Sequence, residues 1–296
     1  MKTPVFVGSS VAIVTPFTGD FVDFEQLGAL IEYQIANGTN AITICGTTGE
    51  ASTQTIPEHL ATIEYCIKKV DGRVPVIAGA GSNDTSHALL LSQAAEESGA
   101  DALLLVTPYY NKTTQAGLVK HFTYLADRVH IPIILYNVPP RTGMSFTAQT
   151  YQELSRHPRI NGVKEASGNL TLLAQTRALC GDELCIWSGN DDQIVPLMAM
   201  GGQGVISVLA NVAPRETSDI CRLWREGKTA ESAALQIRLQ ELIDALFCEV
   251  NPIPVKTAMR LIGYDCGPLR MPLCEMDPKH LALLKKALTG AGLLTA

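Results

Sequence analysis

The chain has 296 residues, of which 46% are hydrophobic and 18% charged, and its formal net charge is −6. So much aliphatic sequence excludes a disordered chain, and the acidic balance with scattered lysines and arginines excludes a basic footprint for nucleic acid. No run approaches the roughly 18 apolar residues of a membrane span, and the opening MKTPVFVGSS lacks the apolar core of a secretory signal, so a soluble cytoplasmic protein acting on small molecules is expected.

Eight short runs rich in β-branched and aliphatic residues follow one another along the chain: 10–15 (SVAIVT), 41–45 (AITIC), 74–79 (VPVIAG), 102–107 (ALLLVT), 132–137 (PIILYN), 160–165 (INGVKE), 184–188 (LCIWS) and 204–209 (GVISVL). Helical patterns with apolar residues at three- and four-residue steps separate them, as at 24–36, 57–70, 85–98 and 114–129. Gly38 and Gly99 stand where left-handed caps would turn helices back into strands. Several runs are apolar at consecutive positions, the pattern of parallel strands covered on both faces. A doubly wound nucleotide-binding sheet would carry GxGxxG after its first strand, where this chain has TPFTGD. Eight β-α units fit a (β/α)8 barrel over residues 1–225, with 226–296 as a helical extension packed on it, since no linker rich in Pro, Gly or Ser intervenes.

The eight cysteines show no CxxC and the six histidines no familiar ligand spacing, so free thiols and no metal site are expected. The glycine-rich stretches 79–81 and 201–204 match no phosphate-binding fingerprint and read as turns.

In such a barrel the chemistry gathers at the C-terminal ends of the strands. Lys164 alone among the lysines falls inside a predicted strand. An ion pair or a solvated strand end is the commoner role for such a residue, but Glu165, its neighbour, points to the opposite face of the strand and is poorly placed to pair with it. Desolvation favours the neutral amine, which forms Schiff bases with carbonyl compounds. Tyr136 ends the preceding strand and could shuttle protons, or simply pack; Thr47, Thr48, Tyr109 and Tyr110 offer further hydroxyls. Arg141 follows two prolines that stiffen its loop, and its guanidinium could hold a carboxylate or remain solvated.

Together GTTGE (46–50), TPYY (107–110), YNVPPRTG (136–143), GVKEASGN (162–169) and NPIPVK (251–256) resemble the dihydrodipicolinate synthase family of pyruvate-dependent aldolases, which also includes N-acetylneuraminate lyase. The resemblance spans nearly the whole chain, and YNVPPRTG favours the synthases over the sugar-acid lyases. It implies a barrel with a helical C-terminal extension, a homotetramer built from tight dimers, no cofactor, and condensation of pyruvate with L-aspartate 4-semialdehyde to 4-hydroxy-tetrahydrodipicolinate on the way to diaminopimelate and lysine.

The resemblance also implies roles for individual residues. Lys164 forms the imine with pyruvate, and Tyr136 moves protons beside it. Thr47 links Tyr136 to Tyr110, which enters from the neighbouring subunit. Thr48 holds the pyruvate carboxylate and Arg141 that of the semialdehyde, and the backbones of Gly189 and Ile206 complete the pocket. A possible allosteric pocket for L-lysine corresponds to Ala51, His59, Asn83, His87 and Tyr109. Ile56 and His87 stand where lysine-sensitive relatives carry a polar group and a glutamate, so weak or absent inhibition is expected. The alternatives are a related aldolase for a 2-keto-3-deoxy sugar acid and a pyruvate-binding sensor without turnover.

Overall fold

The computed structural model describes residues 1–295. Among these, eight parallel strands close into a barrel: β1 (Gly8–Ala12), β2 (Ala41–Ile44), β3 (Val76–Gly79), β4 (Ala102–Val106), β5 (Ile133–Asn137), β6 (Ile160–Glu165), β7 (Cys185–Ser188) and β8 (Gly204–Ser207). Neighbours in sequence are neighbours in the barrel, and β1 closes it against β8. The eight apolar runs are these eight strands, so the (β/α)8 expectation holds.

The first strand starts earlier than its apolar run. It begins at Gly8, two residues before the run 10–15, and Ser10 lies inside the barrel, where its hydroxyl is 2.9 Å from that of Thr43. A small polar pair inside the barrel satisfies itself and leaves no apolar trace in the sequence.

Alternation along each strand separates two apolar layers. Ile77, Leu104, Ile134, Trp187 and Ile206 fill the barrel interior, while the alternate residues join a larger cluster under the helices. The helix Phe24–Ala36 shows how that outer layer is built: Asp23 caps its start by accepting from the Gln26 amide, and Leu27, Leu30, Ile31 and Gln34 are buried along one face. Gly38 and Gly99 adopt the left-handed conformation expected of them, with φ of 84° and 94°.

After the last barrel helix, Pro214–Arg225, come the helices Thr229–Arg238, Gln240–Leu246, Ile253–Leu261 and Pro278–Gly290. Leu242, Leu246, Val255 and Leu284 belong to the same apolar cluster as the outer barrel residues. Each such aliphatic side chain contributes about 1.5–3 kcal/mol by leaving water, which ties the helices to the barrel. Two features have no counterpart in the sequence reading: a small antiparallel ladder pairing Phe17–Thr18 with Phe21–Val22, and a one-turn helix at Pro139–Thr142. Among the described residues no helix is long and apolar enough to cross a membrane.

Candidate active site

Lys164 sits on β6, 5% exposed, with its backbone in register with Tyr136 of β5 on one side and Trp187 of β7 on the other. Two glycines make room for this. A Cβ at Gly162 would lie 2.7 Å from the Trp187 ring and 2.3 Å from the Cys185 carbonyl oxygen. Trp187 can therefore fill the barrel beneath the site, stacked on Phe6 with ring centroids 5.0 Å apart and donating its indole N–H to the Phe6 carbonyl. A Cβ at Gly189 would lie 3.1 Å from Cε of Lys164 and 2.6 Å from Cβ of Ala166. Gly189 thus lets the lysine stem lie across the strand end, and its own N–H is already donated to the Glu165 carbonyl.

The lysine amine has no carboxylate partner among the described residues; it stands over the face of Tyr136, 4.4 Å from the ring centroid. Glu165 points the other way, as its place in the strand requires, and accepts from Asn137 Nδ2, from the Tyr151 hydroxyl at 2.8 Å and from the Ser167 amide. Burial beside Glu165 pushes the Tyr151 phenol well above its usual range, so it remains a hydrogen-bond donor there.

Thr47 and Tyr136 line one cavity of about 270 Å³. Tyr110 is not brought into it: in this single chain its side chain is 92% exposed, on a backbone with φ of 67°. The loop that carries Thr47 and Thr48 begins at Cys45 and ends at Glu50, both non-glycine residues with φ of 53°. Each such position costs about 1–3 kcal/mol and persists only where its surroundings hold it. The Glu50 carboxylate supplies part of that hold, accepting from Lys256 Nζ at 2.7 Å and from the Arg270 amide at 3.0 Å.

The helical extension reaches the mouth through one residue that the sequence reading did not single out. Asn251 donates from Nδ2 to the Thr48 hydroxyl at 3.0 Å, and its backbone carbonyl accepts from Arg141 Nη2 at 2.9 Å. Asn251 opens the NPIPVK motif, which signalled its importance without revealing these partners. Ile206 is fully buried in β8 in register with Ser10. Just beyond it, the buried Asp191 accepts at Oδ2 from the amides of Val208 and Leu209, at 3.1 and 2.8 Å. Burial holds this carboxyl above its usual range, although Ser207, those amides and the nearby Lys164 draw it down. Asp191 was missed as well, one of two adjacent aspartates with nothing in sequence to tell them apart.

The expected allosteric residues divide. Ala51, His59, His87 and Tyr109 line the same cavity as Thr47 and Tyr136. Asn83 does not: it borders a separate depression with Asn111, Lys112 and Tyr124, and its carbonyl accepts from Asn111 Nδ2. Proximity in sequence to Ser82, which does line the cavity, does not carry over across the turn that leads into the next helix.

A buried amine without a salt-bridge partner at the C-terminal mouth of a parallel barrel points to a class, the barrels that bind carbonyl substrates as Schiff bases. Comparison with known proteins narrows it. The model of the dihydrodipicolinate synthetase family matches residues 5–291. The 4-hydroxy-tetrahydrodipicolinate synthase of Thermoanaerobacter sp. (strain X514) is 54% identical over 98% of this chain and 98% of that protein. The dihydrodipicolinate synthase structure from Thermotoga maritima superposes with a TM-score of 0.96 at 40% identity, covering 98% of this chain and all of that one. The structure from Acinetobacter baumannii, solved in complex with pyruvate, gives 0.95 at 41% identity over 97% and 99% of the two chains. The chain belongs to the dihydrodipicolinate synthetase family.

Proposed function

We propose that the chain condenses pyruvate with L-aspartate 4-semialdehyde to 4-hydroxy-tetrahydrodipicolinate and water. The observation that carries this reading is the Lys164 amine, buried without a counter-ion and set against the Tyr136 ring. The neutral amine adds to the ketone carbon of pyruvate and water leaves, giving an iminium. The iminium nitrogen is the electron sink, so loss of a methyl proton gives an enamine without any cofactor. The enamine carbon attacks the aldehyde of the second substrate. That substrate's amine then displaces Lys164 from the imine carbon, closing the ring and freeing the enzyme.

Each proton transfer needs a group that both donates and accepts, and Tyr136, whose ring lies against the amine, carries such a hydroxyl. Thr47 shares its cavity. Tyr110, exposed in the single chain, serves the site of a neighbouring subunit, which makes the working form an oligomer, a homotetramer of tight dimers, acting in the cytoplasm. Thr48 holds the pyruvate carboxylate. Arg141 holds that of the semialdehyde: one guanidinium nitrogen donates to the Asn251 carbonyl, and the rest of the fork remains for the substrate.

Steady-state assays of Arg141→Ala against the semialdehyde and a panel of 2-keto-3-deoxy sugar acids test the substrate. Loss of the charge-assisted bonds lowers kcat/KM for the semialdehyde by roughly 10- to 100-fold. Unchanged turnover of the semialdehyde, or faster cleavage of a sugar acid by the unmodified protein, would show the assignment to be wrong.

A further inference from the structure

The hydrogen bond between Asn251 and Thr48 has a direction, and the direction matters for an anionic substrate. Asn251 Nδ2 can only donate, so at 3.0 Å the Thr48 oxygen is the acceptor. Thr48 is 2% exposed, and its hydroxyl makes no other hydrogen bond among the described residues. Its single proton is therefore left to be given away, in a place where a buried donor requires an acceptor. The reverse orientation of the amide would turn the Thr48 proton toward Asn251 and strand two buried N–H donors. The observed one leaves Oδ1 and a single N–H without a partner, one stranded donor fewer.

We propose that Asn251 is a positioning residue that fixes the polarity of the Thr48 hydroxyl, so that Thr48 donates its proton to the carboxylate of the keto acid. The inference rests on the reading above that Thr48 meets that carboxylate. Asn251 is well placed for the task because its segment is fixed to the same loop at a second point. Five residues on, Lys256 of the helix Ile253–Leu261 is 2.7 Å from Glu50, the last residue of the Thr47–Thr48 loop. The Asn251 backbone carbonyl also anchors Arg141, so one residue of the extension orients the holders of both substrate carboxylates.

Two comparisons in the full-length protein test this, both read as KM for pyruvate, which does not depend on how much of a variant folds. Asn251→Ala leaves the Thr48 hydroxyl free to turn and raises KM roughly three- to tenfold. Asn251→Asp keeps the shape but accepts the Thr48 proton and adds charge, so its KM rises further than that of Asn251→Ala, while KM for the semialdehyde stays within about twofold in Asn251→Ala because the backbone contact to Arg141 remains. In a Thr48→Val background, Asn251→Ala adds less than about twofold, the non-additivity of two residues acting through one bond. A milder effect of Asp than of Ala, or the same Asn251→Ala factor with and without the Thr48 hydroxyl, would show that Asn251 only packs, and the proposal fails while the assignment of Thr48 stands. If Thr48→Val alone leaves KM for pyruvate unchanged, the assignment of Thr48 and the proposal fall together.

Discussion

Two lysines in this chain are buried to nearly the same degree, Lys164 at 5% and Lys256 at 3% exposure, in surroundings of opposite chemistry. At the seam between the barrel and its helical extension, Lys256 is surrounded by partners. It donates to Glu50 Oε1 and to the Pro268 carbonyl, both at 2.7 Å, and lies over the Phe17 ring. Burial draws its ammonium below the usual range while Glu50 opposes that shift. Beside it, Arg270 makes a two-point pair with Glu58, whose carboxyl that contact holds below the usual range. At the barrel mouth Lys164 has an aromatic face and, among the described residues, no salt-bridge partner: Glu165 is committed to Asn137 and Tyr151, and Asp191, whose carboxyl feels the lysine's charge, turns Oδ2 to backbone amides. An amine held by a buried carboxylate and a carbonyl is a strut. An amine tied into no salt bridge is the one left available to attack a carbonyl.

The contrast is broken most sharply by making the same substitution at both positions. Lys164→Met removes the nucleophile, so kcat falls by at least about 10⁴, and borohydride in the presence of pyruvate leaves no adduct on the protein by mass spectrometry. Its thermal midpoint does not fall, because no ion pair is lost. Turnover within a hundredfold of the unmodified protein would mean that another group carries the chemistry.

Lys256→Met reverses the pattern. It leaves Glu50 buried and unpaired at a cost of about 3–5 kcal/mol, seen as a large drop in the denaturation midpoint, while the folded fraction still traps pyruvate on Lys164. Glu50→Gln added to Lys256→Met recovers part of the stability, since the orphaned charge is removed. If Lys256→Met abolished trapping in protein shown to be folded, the separation of strut from nucleophile would fail.

The same contrast marks what could be read from the sequence. The barrel was legible because buried parallel strands are apolar at consecutive positions, and that rhythm survived even where β6 carries Lys164 and Glu165. Lys164 was legible because it is the one lysine that falls in such a run. The partners that define its neighbourhood were not. Asn251 meets Thr48 across 203 residues and Lys256 meets Glu50 across 206, and no periodicity links positions so far apart. Glycines 162 and 189 are needed for close approach to side chains on other strands, which composition cannot show. Tyr110 was placed only through family resemblance, and the single chain leaves it in solvent.

A third amine brings the smallest effect and the finest test of the comparison. Free L-lysine entering the cavity lined by Ala51, Ile56, His59, His87 and Tyr109 would carry two ammonium groups into a space where, among the described residues, no Asp or Glu is exposed to it. His59 offers no substitute. Burial holds its imidazole below the usual range, so it is neutral near pH 7, and its Nε2 donates to the Gly79 carbonyl at 2.8 Å. A desolvated ammonium without a carboxylate has neither the strut's compensation nor the nucleophile's use for its lone pair, and the site should reject it. Half-inhibition by L-lysine is therefore expected only above the millimolar range in a steady-state assay, and His87→Glu should tighten it by roughly tenfold, the worth of one charge-assisted bond. Sub-millimolar inhibition of the unmodified protein would show that the cavity compensates a cation by some means other than a carboxylate, and that burial without a counter-ion is not what sets Lys164 apart.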